Sequence, residues 1–221
     1  MVISVNVVID MGILSIKRLV LGPIRTNCYV VYNNHTMEGM LFDPASESDK
    51  IREFIEEEKI KLKAIFLTHG HFDHIGGAVK YQRFYNVPLY CHEDEEDIVT
   101  SLELNLSAAF GDNASAVPDE LLRDGQLICM CGFEMKIIHT PGHTKGSCCY
   151  LIKGDDEQVL LSGDTLFAGS HGRVDFPTGS MAQLTRSITE KLMCFDDTLL
   201  VLPGHEFETT IGEERPLWRF Q

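Results

Sequence analysis

Thr68-His69-Gly70-His71-Phe72-Asp73-His74 follows directly on the apolar run Ala64-Ile65-Phe66-Leu67 and places three imidazoles and a carboxylate within six residues. Side chains two apart on an extended segment share a face, so His69 and His71 can approach one ion together. Asp73 and His74 must then face elsewhere. A turn into a helix at Ile75-Gly76-Gly77, which the small residues allow, lets those two serve a second ion beside the first. The stretch reads as a metal site at the end of a strand.

Three later segments repeat its plan of apolar strand, glycine turn and ligand-type residue. They are Ile137-Ile138-His139-Thr140-Pro141-Gly142-His143, Leu160-Leu161-Ser162-Gly163-Asp164 and Leu200-Val201-Leu202-Pro203-Gly204-His205. Glycine allows the tight turn and proline fixes the approach, so four strand ends are expected to converge on one point. Together they supply five histidines and two aspartates, enough for two divalent ions with room for solvent. One division gives His69, His71 and His143 to one ion, Asp73, His74 and His205 to the other, and Asp164, with two oxygens, to both. Nitrogen and oxygen donors without thiolate suit Zn²⁺, and Fe²⁺ and Mn²⁺ accept the same set.

Outward from these motifs, residues 13–21, 27–32 and 39–42 read as an antiparallel meander broken at Gly22-Pro23 and Asn33-Asn34. A helix capped by Ser46 or Ser48 follows, with Ile51, Phe54 and Ile55 at helical spacing. Strand 63–67 leads into the histidine cluster, a helix over about 75–85 and a short strand at 88–91. A further helix is expected within 93–109, and 112–126 reads as the loosest part. Strands return at 127–130, 133–139, 148–153 and 158–162. A helix opened by Ser180 and Gln183, with Met181, Leu184, Ile188 and Leu192 on one stripe, precedes the strand 199–202. Two batches of strands separated by helices predict an α/β fold, an αββα sandwich of two mixed sheets with helices on the outer faces. No linker divides the chain, so 13–221 is expected to form one domain, with 1–12 an N-terminal extension or edge strand.

The formal net charge is −14 and no basic run occurs, which argues against broad contact with nucleic acid. No apolar stretch approaches the ~20 residues of a membrane span. Met1 to Asp10 is apolar but lacks a basic start and a small-residue cleavage signal, so it does not read as a signal peptide. Seven cysteines without CxxC spacing read as free thiols in a reducing compartment, and the protein is expected to be cytoplasmic.

The motifs THGHFDH, TPGHT, GDTLF and LPGHE resemble, in order, those of the metallo-β-lactamase superfamily over Ile13 to Glu206. Every ligand position of that family is filled, at His69, His71, Asp73, His74, His143, Asp164 and His205, so a metal-free binding module is not expected. GDTLF followed by Gly172-Arg173-Val174-Asp175-Phe176 is most similar to the type II glyoxalase, or hydroxyacylglutathione hydrolase, branch. Only 16 residues follow His205, which leaves no helical domain to grip glutathione and resembles the short form of that branch. The resemblance implies a binuclear thioesterase cleaving a 2-hydroxyacyl thioester such as S-lactoylglutathione. Two ions ~3.5–4 Å apart would share a water and lower its pKa toward ~7, yielding hydroxide that Asp73 orients. Arg173 and Lys145 are candidates to hold a substrate carboxylate. Asp43 is a candidate to orient a ligating imidazole. His139 reads as a hydrogen-bonded core residue, and His35, His92 and His171 as surface residues. The rival within the fold is the persulfide dioxygenase, with a similar GRxDF stretch but one Fe²⁺ held by two histidines and an aspartate.

Overall fold

In the computed structural model, which describes residues 8–218, the ligand motifs lie at strand ends of two mixed sheets packed face to face. The first sheet has seven strands in sequence order: β1 (Val8–Met11), β2 (Leu14–Leu21), β3 (Thr26–Asn33), β4 (Glu38–Phe42), β5 (Lys61–Phe66), β6 (Leu89–His92) and β7 (Glu120–Leu122). β1 to β4 pair antiparallel and β4 to β7 parallel. The parallel part requires crossovers. These are α1 (Asp49–Glu57), the short α2 (Phe72–Ile75), α3 (Ala78–Tyr85), α4 (Glu96–Thr100) and α5 (Ser107–Phe110). The second sheet holds β8 (Leu127–Met130), β9 (Phe133–His139), β10 (Cys148–Lys153) and β11 (Gln158–Gly163) as an antiparallel set. α6 (Met181–Arg186), continued by a wider π turn over Ser187–Leu192, then returns the chain to β12 (Leu200–Pro203), parallel to β11. β13 (Thr209–Thr210) and α7 (Ile211–Trp218) complete it. Residues 1–7, part of the segment read above as an extension or edge strand, lie outside the described residues.

Strand alternation builds the layers. Ile16, Tyr29, Val31, Met40, Phe42 and Phe66 meet Phe133, Met135, Ile137, Tyr150, Ile152 and Leu161 of the second sheet in a buried central core. The opposite face of the first sheet, with Cys28, Val30, Leu41 and Ile65, packs on Ile51 and Ile55 of α1 and Ala78 and Tyr81 of α3. Cys149, Leu160 and Val201 pack on Leu184, Ile188 and Leu192, with Ile211 and Trp218 of α7. β3 is covered on both sides, which is why all eight of its residues are buried. The layer order is helix, sheet, sheet, helix.

Aromatic hydroxyls in the central layer anchor the strand ends that carry ligands. Tyr150 donates to Leu67 O at 2.6 Å and Tyr29 to Pro203 O at 2.7 Å. Cys148 N donates to Thr68 O at 2.9 Å, joining β10 of one sheet to the histidine loop of the other. Burying these hydroxyls is favourable only because each is bonded.

Several local expectations are corrected. The helix after the first cluster starts at Phe72, and Gly76-Gly77 interrupts it instead of opening it. A Cβ at Gly76 would stand 2.5 Å from Ala45 O, so backbone packing against the β4–α1 loop selects glycine there. The helix expected within 93–109 is a 3₁₀ turn at Glu93–Glu95, then α4, then a separate α5. Asn105 causes the separation, because its side chain binds Ala114 O at 2.7 Å and Ser107 N at 2.8 Å. The stretch 112–126 includes β7, held by parallel pairing to β6. α7 was not anticipated; its weak amphipathic pattern and internal Pro216 hide it.

Candidate metal centre

His69 and His71 lie on the extended loop after β5, and Asp73 and His74 on the first turn of α2. His143 follows β9, Asp164 follows β11 and His205 follows β12. His69, His71, His74, His143 and Asp164 are buried, while Asp73 and His205 are half-buried. Their ligand atoms form overlapping groups: His69, His71 and His143; His69, His74 and Asp164; and Asp73, His74 and His205.

The spacings test whether the residues suit metal. Donors bound to one tetrahedral ion at ~2.1 Å must stand ~3.4 Å from one another. His143 Nε2 lies 3.2 Å from His69 Nε2 and 2.9 Å from His71 Nδ1. His74 Nε2 lies 3.4 Å from His205 Nε2, 3.6 Å from Asp73 Oδ2 and 3.4 Å from Asp164 Oδ1. Asp164 Oδ2 is 3.5 Å from both His143 Nε2 and His205 Nε2, so this one carboxylate faces both groups. Asp164 Oδ1 is buried without a hydrogen-bond partner. Five imidazoles turned nitrogen to nitrogen in a buried site need a cation between them. The donor set fits two divalent ions.

Glycine makes room for the convergence. A Cβ at Gly204 would lie 2.2 Å from Asp164 Oδ1 and 2.8 Å from His74 Cε1. Any side chain there would displace a donor.

The outer nitrogens are fixed as well. His143 Nδ1 donates to Arg173 O at 2.7 Å, which leaves its Nε2 lone pair for the centre. Asp43 Oδ1 accepts from Thr68 N at 2.8 Å, and its Oδ2 accepts from Thr68 Oγ1 at 2.7 Å and from His74 Nδ1 at 3.0 Å. With its proton committed to Asp43, Thr68 Oγ1 accepts from His69 Nδ1 at 3.1 Å. One buried carboxylate therefore orients an imidazole in each group. It does so from a left-handed backbone, φ 45°, that costs strain in any residue but glycine.

Charge divides the centre. Burial lowers the basicity of His69, His71 and His143, taking His71 to about 3, so these rings are neutral with open lone pairs. Burial also disfavours charge on His74 and His205, but Asp73 and Asp164 outweigh it, raising His74 and carrying His205 to about 10. Reciprocally, although burial opposes it, His74 and His205 hold Asp73 at about 2 and Asp164 well below the usual carboxylate range.

Of the residues expected to touch substrate, Lys145 is paired with Asp97 at 2.6 Å. Arg173 is bidentate to Asp175 at 2.7 and 2.6 Å and lies over the Phe176 ring. The contribution of Arg173 to the centre is its carbonyl. His139 is hydrogen-bonded to Lys145 O at 2.8 Å, and it stacks on His92, which is buried and not at the surface. That ring pair with Asp94 groups three further donors. Parallel rings 4.0 Å apart, however, cannot both aim a lone pair in plane at one ion.

Two supports had no strong signal in the chain. Thr26 Oγ1 donates to Asp73 Oδ2 at 2.9 Å. Glu95, fully buried, accepts from Gly70 N at 2.7 Å, Thr144 Oγ1 at 2.8 Å and Gly146 N at 2.9 Å. It ties the His69–His71 loop to the His143 loop, and burial raises its carboxyl to about 7.

The family model described as the metallo-β-lactamase superfamily matches residues 21–205. The chain is 36% identical over 201 residues to the probable metallo-hydrolase YqgX of Bacillus subtilis, covering 90% of this chain and 93% of that protein. It is 30% identical over 205 residues to hydroxyacylglutathione hydrolase GloC of Haemophilus influenzae, covering 91% and 95%. Among solved structures it is similar to BLEG-1, described as a B3 metallo-β-lactamase, with TM-score 0.86, 35% identity and coverage of 92% and 99%. TTHA1623, solved in a di-iron-bound form, gives TM-score 0.77, 29% identity and coverage of 92% and 99%.

Proposed function

Because the chain belongs to the metallo-β-lactamase superfamily, whose members it resembles as a metal-dependent hydrolase, we propose that it is a binuclear thioesterase of hydroxyacylglutathione hydrolase type. The observation that carries this reading is Asp164, one carboxylate 3.5 Å from donors of both groups. The alternative within the fold, a single-iron dioxygenase, needs two histidines and one aspartate.

Two divalent ions, when bound by these residues, would supply Lewis acidity and lower the pKa of water toward ~7. His69, His71 and His143 would hold one ion and Asp73, His74 and His205 the other, with Asp164 within reach of both groups. Asp73, ionised and fixed by Thr26, orients the attacking water. The buried carboxylate of Asp43 keeps His69 and His74 turned nitrogen-inward, so the donor geometry is set before substrate arrives. A thiol of pKa ~8.5 leaves as thiolate without a strong acid. Accordingly, the site needs no protonated carboxyl beside the leaving group, and both of its aspartates are ionised. Zn²⁺ is the proposed metal, with Fe²⁺ an alternative in view of the di-iron relative. The substrate is a small molecule, and the proposed compartment is the cytoplasm; no described helix is long and apolar enough to cross a membrane.

The test is anaerobic purification, metal analysis and hydrolysis of S-lactoylglutathione on one sample, with a chelator control. Chelator-sensitive turnover with about two metals per chain is expected. One iron per chain with oxygen consumption in place of thioester loss overturns the reading.

A further inference from the structure

Lys145 and Arg173 each carry an exposed aspartate partner, and a further cationic surface lies on another side of the centre. A cavity of about 570 Å³ opens beside the metal centre, between the β2–β3 turn and the loop after β12, and His205 forms part of its wall. Its other walls include Arg18, Ile24, Arg25, Glu206 and Phe207. Ile24 and Phe207 are exposed apolar side chains, so the cavity has apolar flanks with two guanidinium groups between them. Arg18 is buried and committed to Glu208 at 2.7 Å, yet its Nε–H has no partner. Arg25 makes no ion pair among the described residues.

The backbone at Arg25 is defined by the turn. It is left-handed at φ 65°, a conformation that glycine would adopt without strain. The next two residues are bolted to the centre. Thr26 bonds Asp73, and the Asn27 side chain donates to Pro203 O at 2.9 Å and Glu206 O at 3.0 Å. Arg25 therefore presents an exposed guanidinium from a defined backbone position, one residue from a metal-centre contact, on the wall of the cavity.

We infer that this cavity receives the carrier arm of the thioester and that Arg25 is the specificity-determining residue selecting an arm that ends in an anion. The inference rests on the thioesterase reading. The anion is a carboxylate, as in glutathione, or a phosphate, as in coenzyme A. Glu206, exposed on the same wall, opposes it.

The variants are R25G, which retains the turn conformation, R25K and E206Q. The substrates are the lactoyl thioesters of glutathione, of coenzyme A and of uncharged pantetheine. R25G is expected to raise KM for the anionic thioester roughly tenfold with kcat nearly unchanged, and to leave the pantetheine thioester unaffected. R25K should restore part of the loss and E206Q should lower KM. Whichever of glutathione and coenzyme A shows the R25G effect identifies the anion. Equal loss on charged and uncharged thioesters, or none on either anionic one, overturns the inference. Calorimetric titration of S-methylglutathione and of desulfo-coenzyme A into wild type and R25G reads the cavity without turnover. Should wild type hydrolyse no thioester while R25G still weakens one of these titrations, the thioesterase reading fails and anion binding stands. Equal binding by both proteins rejects the cavity assignment.

Discussion

The two donor groups of the centre are built from opposite materials. The group of His69, His71 and His143 is buried, wholly nitrogen, and held neutral by desolvation. The group of Asp73, His74 and His205 is half-open and mixes ionised carboxylate with imidazoles whose basicity burial lowers but the aspartates raise, carrying His205 to about 10. Without metal, the first presents unprotonated lone pairs, whereas the second carries a proton on His205. An ion entering the first group displaces nothing, whereas one entering the second must expel a proton. The lesson is that symmetry in ligand number conceals asymmetry in loading.

The contrast can be broken most severely at the residue the groups share. Asp164→Ala should lose both ions and cut hydrolysis on the order of a thousandfold, read by metal analysis beside steady-state kinetics. Retention of either ion at full occupancy would show that the groups are independent. Next, His143→Ala and His205→Ala should each leave about one metal per chain, emptying different groups and distinguishable by Co²⁺ absorption spectra. Identical spectra from the two variants would abolish the distinction. Asp43→Ala touches one imidazole of each group, so both affinities should weaken tenfold to a hundredfold in competition with a chromogenic chelator.

The pH dependence sharpens the contrast further. His205, raised to about 10, is protonated at neutral pH, so affinity of its group should rise about tenfold per pH unit until that value is reached. His71, lowered to about 3, carries no proton to expel, so the first group should vary far less across the same range. Stepwise titrations at several pH values test the sign, and parallel slopes would refute it. The smallest effect on chemistry should come from Glu95→Ala, which strands the Gly70 and Gly146 N–H groups within the first group's support. A loss of roughly 2–4 kcal/mol in unfolding free energy is expected, with occupancy of the second group preserved.

Legibility from sequence followed the range of the interaction. The four ligand motifs are local: apolar strand, glycine turn, donor. The αββα layering was legible in the two batches of strands separated by helices, which became the two sheets. Asp43 was legible as a support because it closes a strand beside β5. Thr26 and Glu95 were not, since each acquires its meaning only when distant loops dock, and Glu95 stands within the acidic run Glu93–Asp97 that otherwise suits a helix start. The Arg173 carbonyl, which orients His143, carries no signal in the sequence, because it depends on how its loop docks. His92 was misplaced because a stacking partner on β9 cannot be read from β6 alone.

The hydrogen bond from Cys148 N to Thr68 O, with Tyr29 reaching Pro203, stitches the centre across the seam between the sheets. Seen from the ribosome, this arrangement is a timetable. The donors at 69–74 emerge first, those at 143 and 164 after a long interval, and His205 last. A nascent chain therefore has a partial cluster able to attract metal long before it has a finished one. A bound pair of ions would certify that both halves have been made and have closed on each other, and a chain cut before residue 205 lacks the last donor for that check.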